Sequence, residues 1–265
     1  MAEAALAWPV RWTAWILIGF IFLPFLVVIP VSFSDRPYLS LPEHALSLEH
    51  YREFLGDSGW LHAMGRSTII AALSTLAAVV LGSLCAFGVW RMRPVAARWV
   101  QSIILLPLII PTVVLGLAFY RAWVDLRIVN TMFGIVLAHT ITSLPFVFIT
   151  VSAALAHVDP KIEMAAKSLG ASMPQTLAWV LIPMVLPGIL SGALFAFVHS
   201  FDELIVVLFI TSRGLETLPK KMWMSLEDDL TPVIACVAVL LCILTLAFLL
   251  LELALRSRLR KTTST

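Results

Sequence analysis

Residues 161–188 read KIEMAAKSLGASMPQTLAWVLIPMVLPG and interrupt a chain that is apolar on either side. The order of caps and breakers in this stretch decides how the chain is built. Just ahead of it, Asp159-Pro160 is a helix start: an Asp N-cap, then a proline at the first helical position, where its missing N–H costs nothing. Glu163 falls in the first turn, where the helix dipole favours an acid. Ile162, Ala165, Ala166 and Leu169 recur at helical spacing and make one apolar face, while Lys161, Lys167 and Ser168 are polar. Gly170 ends the helix, being able to adopt the left-handed conformation. Ser172-Met173-Pro174-Gln175 opens a second helix as a capping box. Two short helices therefore meet at a corner around Gly170–Ala171, and the second climbs past Pro183 and Pro187. Two readings stand side by side: an interfacial helix resting on lipid headgroups, or a docking knob for a cytoplasmic partner. The small Ala165 and Ala166 permit close approach, and the stripe is too short to bind a membrane strongly.

Working outward, the class is set by composition. The 265 residues are 60% hydrophobic and 13% charged, with a mean hydropathy of +0.98, far more apolar than a soluble domain. Six stretches are long enough to cross a bilayer as helices: roughly 12–33, 67–90, 100–123, 131–156, 183–210 and 233–255. The expected fold is an all-α, polytopic membrane bundle of one domain, 1–265, with a short cytoplasmic helix at about 160–170 between the fourth and fifth spans. The run 12–33 is too long for a secretory signal and reads as a retained first span. Pro107, Pro111 and Pro145 are expected to kink spans three and four.

Basic residues orient the bundle. Arg11, the trio Arg91, Arg93 and Arg98, Lys161 and Lys167, and the tail residues Arg256, Arg258, Arg260 and Lys261 share one side with few acids: Glu3, Asp159 and Glu163. The opposite loops are richer in acids, among them Asp35, Glu43, Glu49, Glu53, Asp57, Glu227, Asp228 and Asp229. By the positive-inside rule both termini and the amphipathic interlude are cytoplasmic.

Several chemistries find no support. A net charge of +2 does not point to nucleic acid. Cys85, Cys236 and Cys242 lie in apolar runs with neither disulfide nor metal spacing. His44, His50 and His62 share the first external loop without a metal-site template, so no metal is expected. His139 and Ser143, four apart, suit helix–helix hydrogen bonds better than catalysis. No catalytic residues are expected, and a phosphate loop of the G-x-x-x-x-G-K-[ST] kind is absent.

The other informative stretch is FVHSFDELIVVLFI, residues 197–210. An acid at membrane depth costs about 2.5–3.5 kcal/mol on insertion scales, so Asp202 and Glu203 are paired inside the protein or functional. Adjacent helical residues point about 100° apart. One acid can therefore face a pathway while the other is held structurally, near His199 at i+3 or i+4. A collar of carboxylates suits a cationic solute, and Trp223 adds a cation–π face.

The interlude resembles the signature of ABC importer permease subunits (binding-protein-dependent transport inner-membrane components), written E-A-A, three residues, G, nine residues, I-x-L-P. Ala165-Ala166, Gly170 and Val180-Leu181-Ile182-Pro183 stand at the matching distances; the family's glutamate position holds Met164, and the acid is Glu163. The resemblance implies a type I importer permease fold in a bacterial inner membrane. Its segment containing Glu163, Ala165, Ala166 and Gly170 would be the coupling helix, seated in a separate ATPase. The permease would hydrolyse nothing and carry no cofactor, ATP and Mg being bound by that ATPase. The implied partners are a second homologous permease in a heterodimer, an ATPase dimer, an external solute-binding protein, the solute and membrane lipid. The stretch through TLPKKMW (217–223) is similar to the spermidine/putrescine branch, which implies polyamine transport by alternating access, with Asp202, Glu203, His199 and Trp223 as pathway or gate candidates. The alternatives are a permease for another solute (an amino acid or derivative, a phosphonate, ferric iron), a channel or scaffold without an ATPase, and, more distantly, a membrane-embedded hydrolase.

Overall fold

The computed structural model describes residues 2–212, 214–228 and 230–262, with side chains described for 8, 10–212, 214–228, 230–247, 249 and 250. Glu3, Asp229 and the tail residues Arg256, Arg258, Arg260 and Lys261, all used above to orient the chain, have side chains outside the described residues. Every regular element among the described residues is helical. In chain order these are α1 (Ala2–Ser32), α2 (Glu49–Gly56), α3 (Ser58–Arg91), α4 (Pro94–Ile109), α5 (Thr112–Leu126) and α6 (Met132–Leu155). There follow α7 (Pro160–Ser168), α8 (Met173–Thr176), a π-turn (Leu177–Leu181), α9 (Ile182–Asp202), α10 (Ile205–Ile210), α11 (Leu218–Asp228) and α12 (Val233–Thr262).

Among the described residues, four continuous stretches are long and apolar enough to cross a membrane: Val10–Ser32, Ser58–Arg91, Met132–Leu155 and Met173–Asp202. The expected third span, 100–123, is instead two helices, α4 and α5, bent by 103°. Pro111 is the cause. Its ring forces the preceding Ile110 out of helical space to ψ 131°, and it removes a helical hydrogen bond. Pro107 and Pro145, by contrast, lie inside unbroken helices. The expected fifth span, 183–210, starts earlier, at Met173, and its long helix stops at Asp202. The apolar part of α12 is the shorter Val233–Ala247.

The entry into α9 is also explained by proline. In a regular helix the Pro183 ring would clash with the carbonyl of Trp179. The π-turn over Leu177–Leu181 widens the backbone just there, and Ile182 N–H returns to Leu177 O.

The chain divides into two compact units, 1–61 with 222–244, and 62–221 with 245–265. In the larger unit α6 is central, and its principal neighbour is α9. Glycines permit this pairing: a Cβ on Gly192 would stand 2.8 Å from Val147 Cα, and one on Gly188 would stand 2.8 Å from Thr150 O. On α3, Gly82 meets Val147 in the same way, at 2.9 Å. Small residues carry the interface because, in lipid, close packing replaces the hydrophobic effect as the force joining helices. Val147, Phe148, Val151, Leu181 and Val185 fill the core so formed. A second core joins α5 and α10 through Phe119, Trp123, Val206, Val207 and Ile210.

In the smaller unit, Ser32 Oγ lies 2.8 Å from the Tyr51 hydroxyl, Cys236 Sγ donates to Ser32 O at 3.2 Å, and Phe54 packs on Trp60. His50 is buried there, its Nε2 2.9 Å from Arg36 O. Over residues 10–31 the side chains of α1 are exposed or half-buried within the chain.

Candidate functional site

The acidic pair of residues 202–203 stands where the helix comes apart. Asp202 is the last residue of α9; Glu203 is extended at φ −72°, ψ 111°, and α10 begins two residues later. Glu203 is buried, and its Oε1 accepts the backbone N–H of Val206 at 3.0 Å. It thereby caps α10, supplying an acceptor and a negative charge where the helix dipole favours both. Its other oxygen lies 4.0 Å from His199 Nε2, beyond hydrogen-bond distance. His199 in turn packs its ring on Phe146 at 4.9 Å. Asp202 behaves oppositely: its side chain is exposed. The expected trio Asp202, Glu203 and His199 is thus together, while Trp223, exposed on α11, belongs to the other compact unit.

The far end of α10 is closed by a lysine. Lys220, only 5% exposed, donates through Nζ to Ser212 O at 2.7 Å and Thr211 Oγ1 at 2.8 Å. A cation on the last carbonyls of a helix is favourable. Burial pushes the Lys220 ammonium below the ordinary lysine value, and nearby Glu216 partly opposes this. Asn130 stitches the same loop from α5's side, donating its N–H to Ile210 O at 2.9 Å and accepting Ser212 N–H at 3.0 Å. Leu218 N–H donates to Ser67 Oγ on α3 at 2.8 Å.

One turn inward lies a polar knot that the sequence reading found only in part. Ser200 Oγ on α9 stands 2.8 Å from His139 Nδ1 on α6 and 2.8 Å from Ser74 Oγ on α3. All three side chains are buried. Ser143 Oγ adds a longer bond to Ala196 O at 3.4 Å. His139 and Ser143 do bond across helices, to Ser200 and to the Ala196 carbonyl; Ser200, and Ser74 bonded to it, carry no sequence signal beyond being hydroxyls within apolar spans. Lys220 was equally hidden, as one of two adjacent lysines.

At the other end of the Met173–Asp202 stretch lies the amphipathic interlude. The Asp159 carboxylate accepts Lys161 N–H at 2.9 Å, opening α7. Gly170 turns the chain at φ +84°, and Gln175 Oε1 accepts Ser172 N–H at 2.8 Å within the capping box of α8. Glu163 is 8% exposed, and both of its oxygens are engaged. Arg91, the last residue of α3, approaches them at 3.3 Å through Nε and Nη2, and Lys167 Nζ reaches Oε1 at 2.8 Å. Burial alone would raise this carboxyl, but the bonds from Lys167 and Arg91 outweigh it and hold the group below its ordinary range. Ala165 and Gly170 are exposed, Ala166 partly so.

Residues 78–261 match the family described as "Binding-protein-dependent transport system inner membrane component". The chain belongs to this permease family. It is a membrane permease subunit of an ABC importer, and ATP hydrolysis lies with a separate subunit. The permease is 32% identical over 235 residues to the putrescine transport system permease protein PotI of Escherichia coli K12, covering 85% of the permease and 83% of PotI. It is 25% identical over 237 residues to the spermidine/putrescine transport system permease protein PotC of Haemophilus influenzae, covering 89% and 92%. In fold, the permease is similar to a chain of a bacterial ABC transporter that imports the acidic polysaccharide alginate, with TM-score 0.76, 13% identity and coverage of 97% and 96%.

Proposed function

We propose that this permease carries a small organic polycation of the putrescine or spermidine kind inward by alternating access. The observation that carries the reading is Asp202: an exposed carboxylate at a helix break, at the end of a stretch otherwise apolar enough to span the bilayer. An ammonium group pairs with such a carboxylate, and apolar walls suit the methylene spacer. The names of PotI and PotC point to the same solute class.

The bundle has six crossings in this reading: α1, α3, the bent pair α4–α5, α6, the Met173–Asp202 stretch and α12. Both termini face the cytoplasm, on the positive-inside argument. α7 is the coupling helix, seated in an ATPase cleft, and Gly170 fixes its corner. A second, homologous permease completes a heterodimer, two ATPase subunits lie beneath it, and an external solute-binding protein delivers the solute. The permease has no cofactor of its own; ATP and Mg belong to the ATPase.

The test is ATP-driven uptake of labelled putrescine into vesicles holding the assembled transporter, with competing spermidine, amino acids and phosphonates. Competition by polyamines alone is the expected result. Uptake that amino acids or phosphonates block and polyamines do not would end the solute assignment. Uptake without an ATPase would end the importer mechanism.

A further inference from the structure

The short helix α7 presents an unusual choice of residues to its surroundings. Its one acid, Glu163, is turned inward and consumed. A guanidinium fork and an ammonium occupy both carboxylate oxygens, the charge-assisted arrangement that is strongest and most directional among side-chain pairs. Freeing Glu163 to reach another protein would break these bonds and leave Arg91 without its carboxylate. The large apolar side chains that α7 and the following corner show outward are Met164, 60% exposed, and Leu169, 89% exposed, with Met173, the first residue of α8, also exposed. Three large apolar side chains exposed within ten residues around one helical corner suit a contact surface. The exposed Lys161 and half-exposed Lys167 flank it.

We propose that Glu163 acts within the chain, held by Arg91 and Lys167 as a staple that sets α7 against the end of α3, and that the surface offered to the ATPase is the Met164–Leu169–Met173 patch with the flanking Lys161. The complementary ATPase surface is then an apolar cup with an acidic edge. The adaptable thioethers of Met164 and Met173 fit such a cup without demanding close shape complementarity. Motion passes from the cup through the patch to α7, and from α7 to α3 through the Arg91–Glu163 fork as well as along the backbone to α9. The proposal rests on α7 being the coupling helix and adds which of its side chains dock and which position it.

The experiment compares charge inversion with surface change in the assembled transporter, reading membrane abundance, ATPase co-purification and uptake per ATP hydrolysed. Glu163→Arg brings three cations together and is expected to lower uptake per ATP at least about tenfold, or to lower abundance if the helix no longer packs. Inverting the whole triad (Arg91→Glu, Glu163→Arg, Lys167→Glu) restores the staple and is expected to return both to within about threefold of the parent. Glu163→Gln is expected to keep the ATPase bound while loosening the coupling. Met164→Glu and Leu169→Glu are expected to release the ATPase at unchanged abundance.

A triad inversion as poor as Glu163→Arg, or loss of the ATPase on Glu163→Gln, overturns the staple and leaves α7 as the docking element. If Met164→Glu and Leu169→Glu both keep the ATPase, the patch is not the docking surface and this proposal falls.

Discussion

Glu203 and Lys220 hold opposite ends of the six-residue helix α10, the acid on the Val206 N–H of its first turn and the base on the carbonyls that follow its last turn. A helix this short does not persist on its own, because nucleation is costly and few bonds repay it. Its ends therefore matter more than its middle. Glu203→Ala is expected to lower stability by about 1 kcal/mol through loss of the cap, whereas Glu203→Gln keeps an acceptor for Val206 and loses less. Lys220→Met removes charge-assisted bonds and is expected to cost about 1.5–3 kcal/mol. Thermal unfolding of the purified protein in detergent reads both, and equal melting temperatures for all three variants would remove the capping account.

Asp202 differs from its neighbour in being exposed. If it meets the solute's ammonium, Asp202→Asn is expected to weaken uptake of a polycation about tenfold, the loss of one charged contact, with melting unchanged. Glu203→Gln is expected to act the other way round, on stability more than on solute concentration dependence. Normal transport by both variants would mean that no carboxylate here meets a cation.

How much of this was readable beforehand depends on the scale of the signal. The corner at Gly170 and the caps at Asp159 and Ser172 are local chemistry, and each occurs where the residues indicate. The apolar runs were equally plain, but hydropathy cannot separate a kink from a break. Ile110-Pro111 is as apolar as the helices beside it, so the 103° bend between α4 and α5 was invisible as an angle. The break after Asp202 was harder still, since neither glycine nor proline marks it. Glutamate is an uncommon cap, and burial in the fold is what commits Glu203 to the role. The knot of His139, Ser200 and Ser74 needs three helices to meet, and no single segment announces that.

The α6–α9 contact depends on absent side chains. Gly192→Val is expected to prevent accumulation of the folded protein, because a Cβ would stand 2.8 Å from backbone at Val147 Cα and further methyls have nowhere to go. Gly65→Val in α3, whose Cβ meets nothing within 4 Å, serves as the control. Comparable membrane abundance for the two variants would show that α9 is free to move away from α6.

Gly170 needs a different pair of substitutions. A Cβ there meets nothing, so the whole penalty is the φ of +84°. Gly170→Asn is expected to retain most uptake, since asparagine tolerates the left-handed region, and Gly170→Val to lose most of it. The ratio of uptake to abundance in the two variants distinguishes a corner requirement from a simple need for small size.

The staple at Glu163 sets a pH expectation. The folded carboxyl lies below its ordinary value of 4.5. A depressed folded value means that its contribution to stability is complete above that ordinary value and is lost as pH falls through the folded one. The melting difference between the parent and Glu163→Gln should therefore be flat from about pH 8 to about pH 5 and shrink only in stronger acid. A difference that fades near neutrality would show that Arg91 and Lys167 do not govern this carboxyl.

The stretch from Met173 to Asp202 is thirty residues of unbroken helical winding, one widened turn included. At the rise of an α-helix that is a strut of about 45 Å. Rocking it by about 10° around its Met173 end carries Asp202 roughly 8 Å sideways, more than the width of an ammonium group. A small tilt imposed at the Gly170 corner thus becomes, at the opposite end of the strut, the difference between a carboxylate within reach of its cargo and one turned away from it.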